Sequence, residues 1–423
     1  MNNLKFNISL IFIVIAFFIF SCNSTKKMSE TNLDDKNMKT SPQKTAQSLN
    51  QTIVEPSFTL FKNLSDFQNE ENISYSPISL NLAFGMIYSG AVNNTAKEIS
   101  KTLCYNEDIK TFNKEFEKLF KTLKQLENDT LMQFAIANRI YFEQSFKIKE
   151  DYLKTVNSYG EENILQKADF QNNAPKEEEA INDWVFDFTN QRIDNLIPKS
   201  SLDKYTKMVL VSALYFKSDW KYQFNEYATK KNKFYSTKEQ ISDKYFMTQR
   251  FNNNIRYYKT KNTQVLELPY KTKNISLLII LPDNSNINNI NSYIPKAEEY
   301  LNICKNLSNS FVYVELPKFK TESTFELSGY LQKMGIKTAF SNSDFSGISN
   351  DNTLKISAVL QKVFFELNET GTEAAAATAI LMKTTSLHTN AQEPIQFIAN
   401  RPFIYILKDN NLEIPLFIGK CVQ

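Results

Sequence analysis

The apolar residues of the first half of the chain recur at helical spacing. Helices are predicted over residues 79–91, from Thr95 to Leu103, over 112–126 and over 177–193. In the segment 112–126, phenylalanine and leucine residues lie on one face, and lysine and glutamate occupy the opposite face. The pattern therefore predicts amphipathic helices with a buried and a solvated side.

Short runs of apolar and β-branched residues dominate the second half. Strands are predicted over residues 208–216, 264–270, 275–283, 311–319, 355–368, 394–407 and 413–422. The run 208–216 is apolar on both faces, which is typical of a central strand. Helices come first and strands later, without strict alternation. This order predicts an α+β fold with mainly antiparallel sheets.

The composition is that of a soluble globular protein. Hydrophobic residues make up 42% of the 423 residues and charged residues 22%. Lys and Arg total 49, Asp and Glu total 46, and the formal charge is +3. This balance argues against nucleic acid as a partner. The pattern of hydrophobic and polar residues stays typical of a globular protein from residue 52 to the C-terminus. This favours one large domain over residues 52–423.

Histidine and glycine are both scarce in this chain, and this argues against several classes of enzyme. His388 is the single histidine, although histidine is the usual general base near neutral pH. The eight glycines form neither a dinucleotide-binding nor a phosphate-binding motif. We therefore expect that the protein is not an enzyme and that it has neither a cofactor nor a metal site. An enzymatic activity is the weakest of the functional hypotheses.

The N-terminus resembles an export signal. Residues 1–21 combine Lys5 with an apolar run from Leu10 to Phe20, and a small residue precedes Cys22, as in a bacterial lipoprotein. We expect cleavage before Cys22 and a lipid on its thiol, with a plain secretory signal as the alternative. Residues 22–51 would then be the lipidated cysteine and a flexible tether. This predicts an exported, membrane-anchored protein, either periplasmic or on the cell surface.

The other three cysteines are far apart in the sequence and form no metal or redox motif. They are Cys104, Cys304 and Cys421. We expect them to be buried free thiols.

Residues 371–385 carry an alternating pattern. Ala-rich sequence also favours helix, so helix is the alternative interpretation. In an extended strand, one face would carry Thr372, Ala374, Ala376 and Thr378, and the two charges, Glu373 and Lys383, would both lie on the other. No proline interrupts the segment. The pattern indicates a loop that can bury one face as a strand.

Many short motifs, in their order along the chain, resemble those of the serpin family over about residues 55–423. They are NISYSPIS at 72–79, NTAKE at 94–98, AIANRIY at 135–141, VLVSALYFK at 209–217 with Trp220, LPY at 268–270, LPD at 281–283, LPKF at 316–319, DFSG at 344–347, ETGTEAAAAT at 369–378, NRPF at 400–403 and FIGK at 417–420.

The resemblance implies a single α+β domain: a bundle of helices, three mainly antiparallel sheets and an exposed reactive-centre loop, about residues 369–393. A protease would attack this loop, and the cut loop would enter the main sheet and trap the covalent acyl-enzyme. The implied hinge residues are Glu369, Gly371, Thr372, Glu373, Ala374, Ala375, Ala376, Ala377 and Thr378. Their small, uncharged side chains on one face suit insertion. Trp184 is expected near the point where the loop enters.

A cluster that controls sheet opening is implied at Ser76, Pro77, Ser79, Ser212 and Gln361. Relatives usually carry Asn at the position of Ser212 and His at that of Gln361. We expect a rewired hydrogen-bond network, because a glutamine side chain both donates and accepts.

Family spacing places the reactive bond between Thr385 and Ser386, fourteen residues after Gly371, with Lys383–Thr384 as the alternative. A β-branched Thr385 favours elastase-like serine proteases. Lys383 would suit trypsin-like enzymes, and papain-like cysteine proteases are a further candidate class. The protein is expected to be a monomer. The rival function is that of a non-inhibitory surface binding protein or a plain protease substrate.

Overall fold

The computed structural model describes residues 42–160, 163–237, 239–283, 289–372 and 393–423. The chain from Pro42 to Gln423 forms one compact unit. The predicted signal peptide and Cys22 lie outside the described residues. The first helix begins at Pro42 and therefore overlaps residues 42–51 of the predicted tether.

The described residues contain eight α-helices, α1 to α8. They span Pro42–Phe67, Pro77–Tyr88, Asn93–Leu103, Ile109–Glu127, Glu150–Ser158, Phe170–Phe188, Ala297–Asn306 and Ser328–Met334. Every residue of α2 is buried, so this helix forms part of the core itself. The hydroxyl of Ser76 caps α2, and Pro77 occupies its first turn, where its missing N–H costs nothing.

Fifteen strands, β1 to β15, complete the described part of the chain. They span Ile73–Tyr75, Met132–Glu143, Leu165–Ala168, Met208–Asp219, Lys230–Tyr235, Ile241–Lys259, Thr263–Pro269, Ile275–Pro282, Ser308–Pro317, Phe319–Glu326, Ala358–Leu367, Gly371–Thr372, Ile395–Ile398, Phe403–Asp409 and Pro415–Cys421.

Six of these strands form the main sheet, in the order β10-β11-β12-β4-β2-β3. One face packs on α2 and the large core, and the other face packs on α6 through a smaller apolar cluster that includes Val209, Val211 and Ile181. Because both faces are covered, β4 is buried over nearly its whole length, as its unbroken apolar run predicted.

The other nine strands form two sheet regions that share the long strand β6. One region runs β1-β15-β14-β8-β7-β6, and the other contains β5, β6, β9 and β13. The pairing of β6 with β9 shifts register between Asn252 and Ile255, where one region passes into the other. Together with the main sheet, these two regions give the three sheets that were predicted. The α+β class is confirmed.

Two predicted segments differ from the observed elements. The run 394–407 forms two strands, β13 and β14, because Pro402 lacks a ladder donor and Arg401 bonds to the carbonyl oxygens of Pro282 and Ile398. The helix predicted at 177–193 is α6, which begins earlier at Phe170 and ends at Phe188. Asn190 and Gln191, with φ of 52° and 63°, take the left-handed conformation that ends a helix.

Candidate functional site

The base of the predicted loop lies inside the main sheet. β12 is a two-residue strand between β4 and β11: Gly371 pairs with Asp219, and Thr372 pairs with Ser218 on one side and Leu367 on the other. Both pairings are antiparallel. The base of the loop therefore lies in a position that a full strand would occupy.

Beyond β12, the two neighbouring strands meet directly. β11 pairs in parallel with β4 from Ala358–Val209 to Val363–Leu214. We call this junction the seam, its directly paired stretch the centre, and the stretch that holds β12 the hinge end. The seam is closed at its centre and parted by one strand width at its hinge end.

Only glycine fits at position 371. A Cβ built there would lie 2.0 Å from the carbonyl oxygen of Ser218 and 2.7 Å from the Cα of Asp219. Both contacts are with backbone, which cannot swing aside. The glycine thus allows β12 to approach β4 closely enough to pair.

Aromatic side chains hold the hinge end. Thr372 is 1% exposed, and its hydroxyl is hydrogen-bonded to that of Tyr270. The Tyr270 ring stacks on Trp220 with ring centres 4.3 Å apart. The indole N–H of Trp220 donates to the Asn368 carbonyl oxygen at 2.9 Å, and its backbone N–H donates to Thr370 at 2.8 Å. Trp220 therefore ties the loop base to the end of β4.

Glu369 fixes the turn before β12. Its carboxylate lies 2.9 Å from the Lys318 ammonium and accepts a 2.7 Å hydrogen bond from Thr229. Burial alone would raise the pKa of Glu369, but the hydrogen bonds from Lys318 and Thr229 outweigh it and hold the pKa below its ordinary value. The carboxylate is therefore charged at neutral pH and tethers the turn to two neighbouring segments.

Gln361 dominates the centre of the seam. Its Oε1 accepts from the backbone N–H of Ser76 at 2.9 Å, and its Nε2 donates to the Ser76 carbonyl at 2.8 Å. The contact of Nε2 with the Ser212 hydroxyl is long, at 3.5 Å. The Ser76 hydroxyl lies 3.0 Å from that of Ser79 and also donates to Leu416. The rewired network predicted from Gln361 is thus present, and it runs mainly to the start of α2.

A further residue joins this cluster. Asn138 of β2 pairs with Ser212, which in turn pairs with Gln361, so the three form one row across the sheet. Its Nδ2 donates to the Ser79 carbonyl at 2.9 Å, while its buried Oδ1 has no hydrogen-bond partner among the described residues. Asn138 lies in the motif at 135–141, but the sequence alone assigns it no role, because pairing across strands cannot be read from one strand.

The structure brings together some of the predicted site residues. Glu369, Gly371 and Thr372 lie at the hinge end, and the five cluster residues lie at the centre. The remaining hinge residues, Glu373 to Thr378, and the residues of both candidate reactive bonds, Lys383 to Ser386, lie outside the described residues. So does His388.

The expectation for Trp184 is wrong. Trp184 lies on α6 against Tyr141, beneath the Arg139 guanidinium at 4.0 Å. Arg139 pairs with Val211, seven residues along β4 from Ser218 and hence about 23 Å from β12. Trp220 stands beside β12 instead. Trp220, Tyr270 and Lys318 all belong to the motifs that resemble the serpin family, but their contacts with the loop base arise only in the folded chain.

The cysteine expectation is partly wrong. Cys304 and Cys421 are buried free thiols, and burial raises the pKa of each to about 11. Cys104 is exposed instead of buried, and it ends α3 in the left-handed conformation, with φ 55°. Among the described residues, no helix is long and apolar enough to cross a membrane.

Known proteins share this architecture. The model of the family described as Serpin (serine protease inhibitor) matches residues 51–423. The leukocyte elastase inhibitor of Xenopus tropicalis is 33% identical over 372 residues, covering 86% of this chain and 96% of that protein.

Two solved structures extend the comparison. The thermophilic serpin tengpin in its native state has a TM-score of 0.78 and 29% identity, covering 94% of this chain and 96% of its own. Human thyroxine-binding globulin complexed with thyroxine has a TM-score of 0.79 and 26% identity, covering 90% of this chain and 99% of its own. With a family model that matches nearly the whole described chain, the protein belongs to the serpin family.

Proposed function

We propose that this serpin inhibits proteases as a suicide substrate. A target protease attacks the loop that follows β12 and forms an acyl-enzyme. The cut loop then enters the seam as a full strand, and the attached protease is displaced and distorted before the ester is hydrolysed. The chemistry belongs to the target enzyme, so the serpin itself needs no catalytic residue.

The observation that carries this proposal is the position of β12. β12 already pairs with β4 through Gly371 and Thr372, and with β11 through Thr372. A strand that extends from β12 along the seam would exchange the direct β4–β11 pairing for two ladders, one on each side. The main sheet would gain a complete central strand, which supplies the driving free energy.

The register of β12 predicts where the loop residues would lie after insertion. Thr372 pairs with Ser218 and Leu367. Six residues further along antiparallel strands, residue 378 would lie between Ser212 and Gln361. Thr378 would thus place a small hydroxyl side chain in the polar row at the centre of the seam. A bulky apolar residue there would leave buried polar groups without hydrogen-bond partners.

The alternating pattern supports the same proposal. Thr372 is buried in the sheet, and Ala374, Ala376 and Thr378 share its parity. These side chains are small and uncharged, so the first part of the strand can enter without desolvating a charge. The charged Glu373 has the opposite parity.

We propose serine proteases as the targets, with elastase-like enzymes favoured. The residue at the expected reactive bond, Thr385, is β-branched and of medium size, and a relative in Xenopus tropicalis is named a leukocyte elastase inhibitor. Cleavage after Lys383 by trypsin-like enzymes is the alternative, and papain-like cysteine proteases are further candidates.

The second candidate function is binding without inhibition. The solved relative thyroxine-binding globulin, complexed with thyroxine, has 26% identity to this chain. A chain that acts only as a carrier, a surface binding protein or a protease substrate would be cut without trapping the enzyme. The small hinge residues favour inhibition, because a strand that never inserts has no need of them.

The test is a denaturing gel of residues 23–423 mixed with an elastase-like or a trypsin-like protease. We expect a covalent complex that survives denaturation, and a released peptide whose mass identifies cleavage after Thr385 or after Lys383. Cleavage that leaves the protease active, with no such complex, would refute inhibition and favour the second candidate.

We further propose that the protein is exported and held at a membrane by a lipid on Cys22. The apolar run before Cys22 and the small residue next to it support this. Expression of the full chain in a bacterium fed a labelled fatty acid should label the wild type but not Cys22→Ser. Release of unlabelled wild-type protein into the medium would instead indicate a plain secretory signal.

A further inference from the structure

A cavity lies between the strands β6 to β8 and the helix α7. Its volume is about 410 Å³, a size typical of pockets that hold small molecules. Two of its lining residues, Tyr258 and Ile280, stand in one row across the sheet, because each pairs with Val265 of β7. The described residues that line the cavity are not part of the main sheet, so the cavity is separate from the seam and the loop base.

The interior of the cavity is apolar and aromatic. Three buried isoleucines from three different segments line it: Ile280, Ile294 and Ile303. Two half-buried rings stand beside them, Tyr258 of β6 and Tyr293 of the short 3-10 helix Ile290–Tyr293. An apolar concavity with aromatic walls gains free energy when a molecule of matching character displaces its water.

The walls of the cavity are held by contacts within the protein. In the turn from β6 to β7, the hydroxyl groups of Thr260 and Thr263 are hydrogen-bonded at 2.7 Å. In the short 3-10 helix, the buried side chain of Asn291 donates to the side chains of Asp66 and Asn69, at 3.0 and 2.9 Å. Because the walls are already ordered, a ligand would bind at a small cost in conformational entropy.

The charged groups at the mouth leave one cation available. Lys259 forms an ion pair with Asp283. The Glu299 carboxylate accepts the backbone N–H of Lys296 at 3.0 Å, at the start of α7. Lys261 is exposed, and it has no ion-pair partner among the residues that the structure describes. Its ammonium can therefore pair with an anionic group of a bound molecule.

We infer that this cavity binds a small amphipathic anion, a ring-bearing apolar molecule with one carboxylate or sulfonate group. The apolar part would lie on the three isoleucines, between the rings of Tyr258 and Tyr293. The anionic group would stay at the mouth beside Lys261, where water still solvates it. Binding of this kind needs neither a protease nor insertion of the loop, so it is an activity separate from the proposed inhibition.

Two fluorescent probes with the same rings form the test. Anilinonaphthalene sulfonate carries an anion, and phenylnaphthylamine is the uncharged counterpart. Each probe is titrated against residues 23–423, which contain the whole compact unit without the apolar run of the predicted export signal. Native mass spectrometry counts the bound molecules. We expect one sulfonate probe per chain, bound more tightly than the uncharged probe.

The role of Lys261 is tested by Lys261→Met, which removes the ammonium and keeps an apolar chain. We expect the sulfonate probe to bind about threefold more weakly, the size expected of an exposed ion pair, and the uncharged probe to bind as before. Lys305→Met is the matched control, because Lys305 is an exposed lysine of α7 outside the lining of the cavity. Both probes should bind this variant as they bind the wild type.

A pair of variants on α7 locates the bound probe. Asn302 lines the cavity, and Asn302→Trp would fill it with a large ring, so we expect both probes to bind at least about tenfold more weakly. Asn306→Trp is the control, because Asn306 is exposed on the same helix and is not a lining residue. Each substitution removes the 3.0 Å hydrogen bond between these two side chains, so the pair differs in whether the cavity is filled.

The outcomes that would overturn the inference are distinct. Failure of the wild type to bind either probe, or binding that Asn302→Trp leaves unchanged, overturns the cavity as a binding site. Equal affinity for the two probes, with no loss in Lys261→Met, overturns the anionic class of ligand. All titrations are made well below the melting temperature of each variant, because loosened chains bind such probes without specificity. Several probes per wild-type chain under these conditions would also contradict a single site.

Discussion

The hinge end and the centre of the seam are held in different ways. At the hinge end, side chains grip the loop base itself: Trp220 bonds to two carbonyls of that segment, and Glu369 is clamped by Lys318 and Thr229. At the centre, the strong hydrogen bonds of Gln361 run to α2, beneath the sheet. Of the hydrogen bonds that Gln361 makes, only the long contact with Ser212 crosses the seam.

The difference explains how a well-paired sheet can still open. The two short hydrogen bonds of Gln361 run to Ser76 and not to β4, so they are not among the bonds that directly join β11 to β4. On the face of the sheet that packs on α2, the cost of parting the centre is mainly the β4–β11 backbone ladder, which an inserted strand replaces. The hinge end carries the specific contacts, and it decides whether a strand can start.

The largest expected effect comes from a charge at the hinge end. Thr372 is already buried against Tyr270, so Thr372→Arg would place a guanidinium inside the sheet and expel β12. We expect cleavage at a normal rate but loss of the covalent complex, seen on denaturing gels as a cut chain with active protease. Thr372→Val, which keeps the shape, should still form the complex. Complex formation by the Arg variant would contradict insertion from this end.

The next effect lies at the centre. Gln361→Leu removes both partners of the Ser76 backbone and leaves a buried N–H and C=O unpaired. We expect the free energy of unfolding to fall by about 2–4 kcal/mol, measured by urea denaturation. Gln361→Glu is the comparison, because it keeps the acceptor for the Ser76 N–H. A loss below about 1 kcal/mol for the Leu variant would mean that water replaces the amide.

A smaller effect at the hinge end depends on pH. The folded-state pKa of Glu369 is lowered, so its stabilisation is complete above the unfolded value of about 4.5 and is lost as the pH falls through the folded value. Glu369→Gln should lower the free energy of unfolding by about 1 kcal/mol at pH 7. Between pH 6 and 3, its melting temperature should fall less steeply than that of the wild type. Parallel curves of melting temperature against pH would show that the ionisation of Glu369 makes no pH-dependent contribution to stability.

Much of the fold followed from the sequence because local patterns determine it. The all-apolar run of β4 and the amphipathic face of α4 appear where periodicity placed them. The position of Gln361 near the Ser76 turn came from the resemblance, and its donor and acceptor chemistry from the side chain alone.

Other features depend on contacts between distant segments. The hydrogen bond between Trp220 and Asn368 joins residues 148 positions apart in the sequence. The ion pair between Lys362 of β11 and Asp194, in the connection from α6 to β4, joins residues 168 positions apart. Neither contact can be predicted from the local sequence, because a lysine or a tryptophan looks the same there whether or not it has such a distant partner. The split of the run 394–407 into β13 and β14 was likewise not predicted, because largely apolar stretches lie on both sides of the short Asn-Arg-Pro segment at 400–402.

The smallest expected effect is the most direct test of the difference between the hinge end and the centre. Ser212→Ala removes the hydroxyl that faces Gln361 at 3.5 Å, the outer limit of a hydrogen bond. We expect the free energy of unfolding to change by less than about 0.5 kcal/mol, because Gln361 keeps its two shorter bonds to Ser76. Urea denaturation of Ser212→Ala beside Gln361→Leu measures both. A loss of about 1.5 kcal/mol or more would show that β4 and β11 are held to each other at the centre. Opening would then have to break that bond, and control of insertion would lie at the centre as well as at the hinge end.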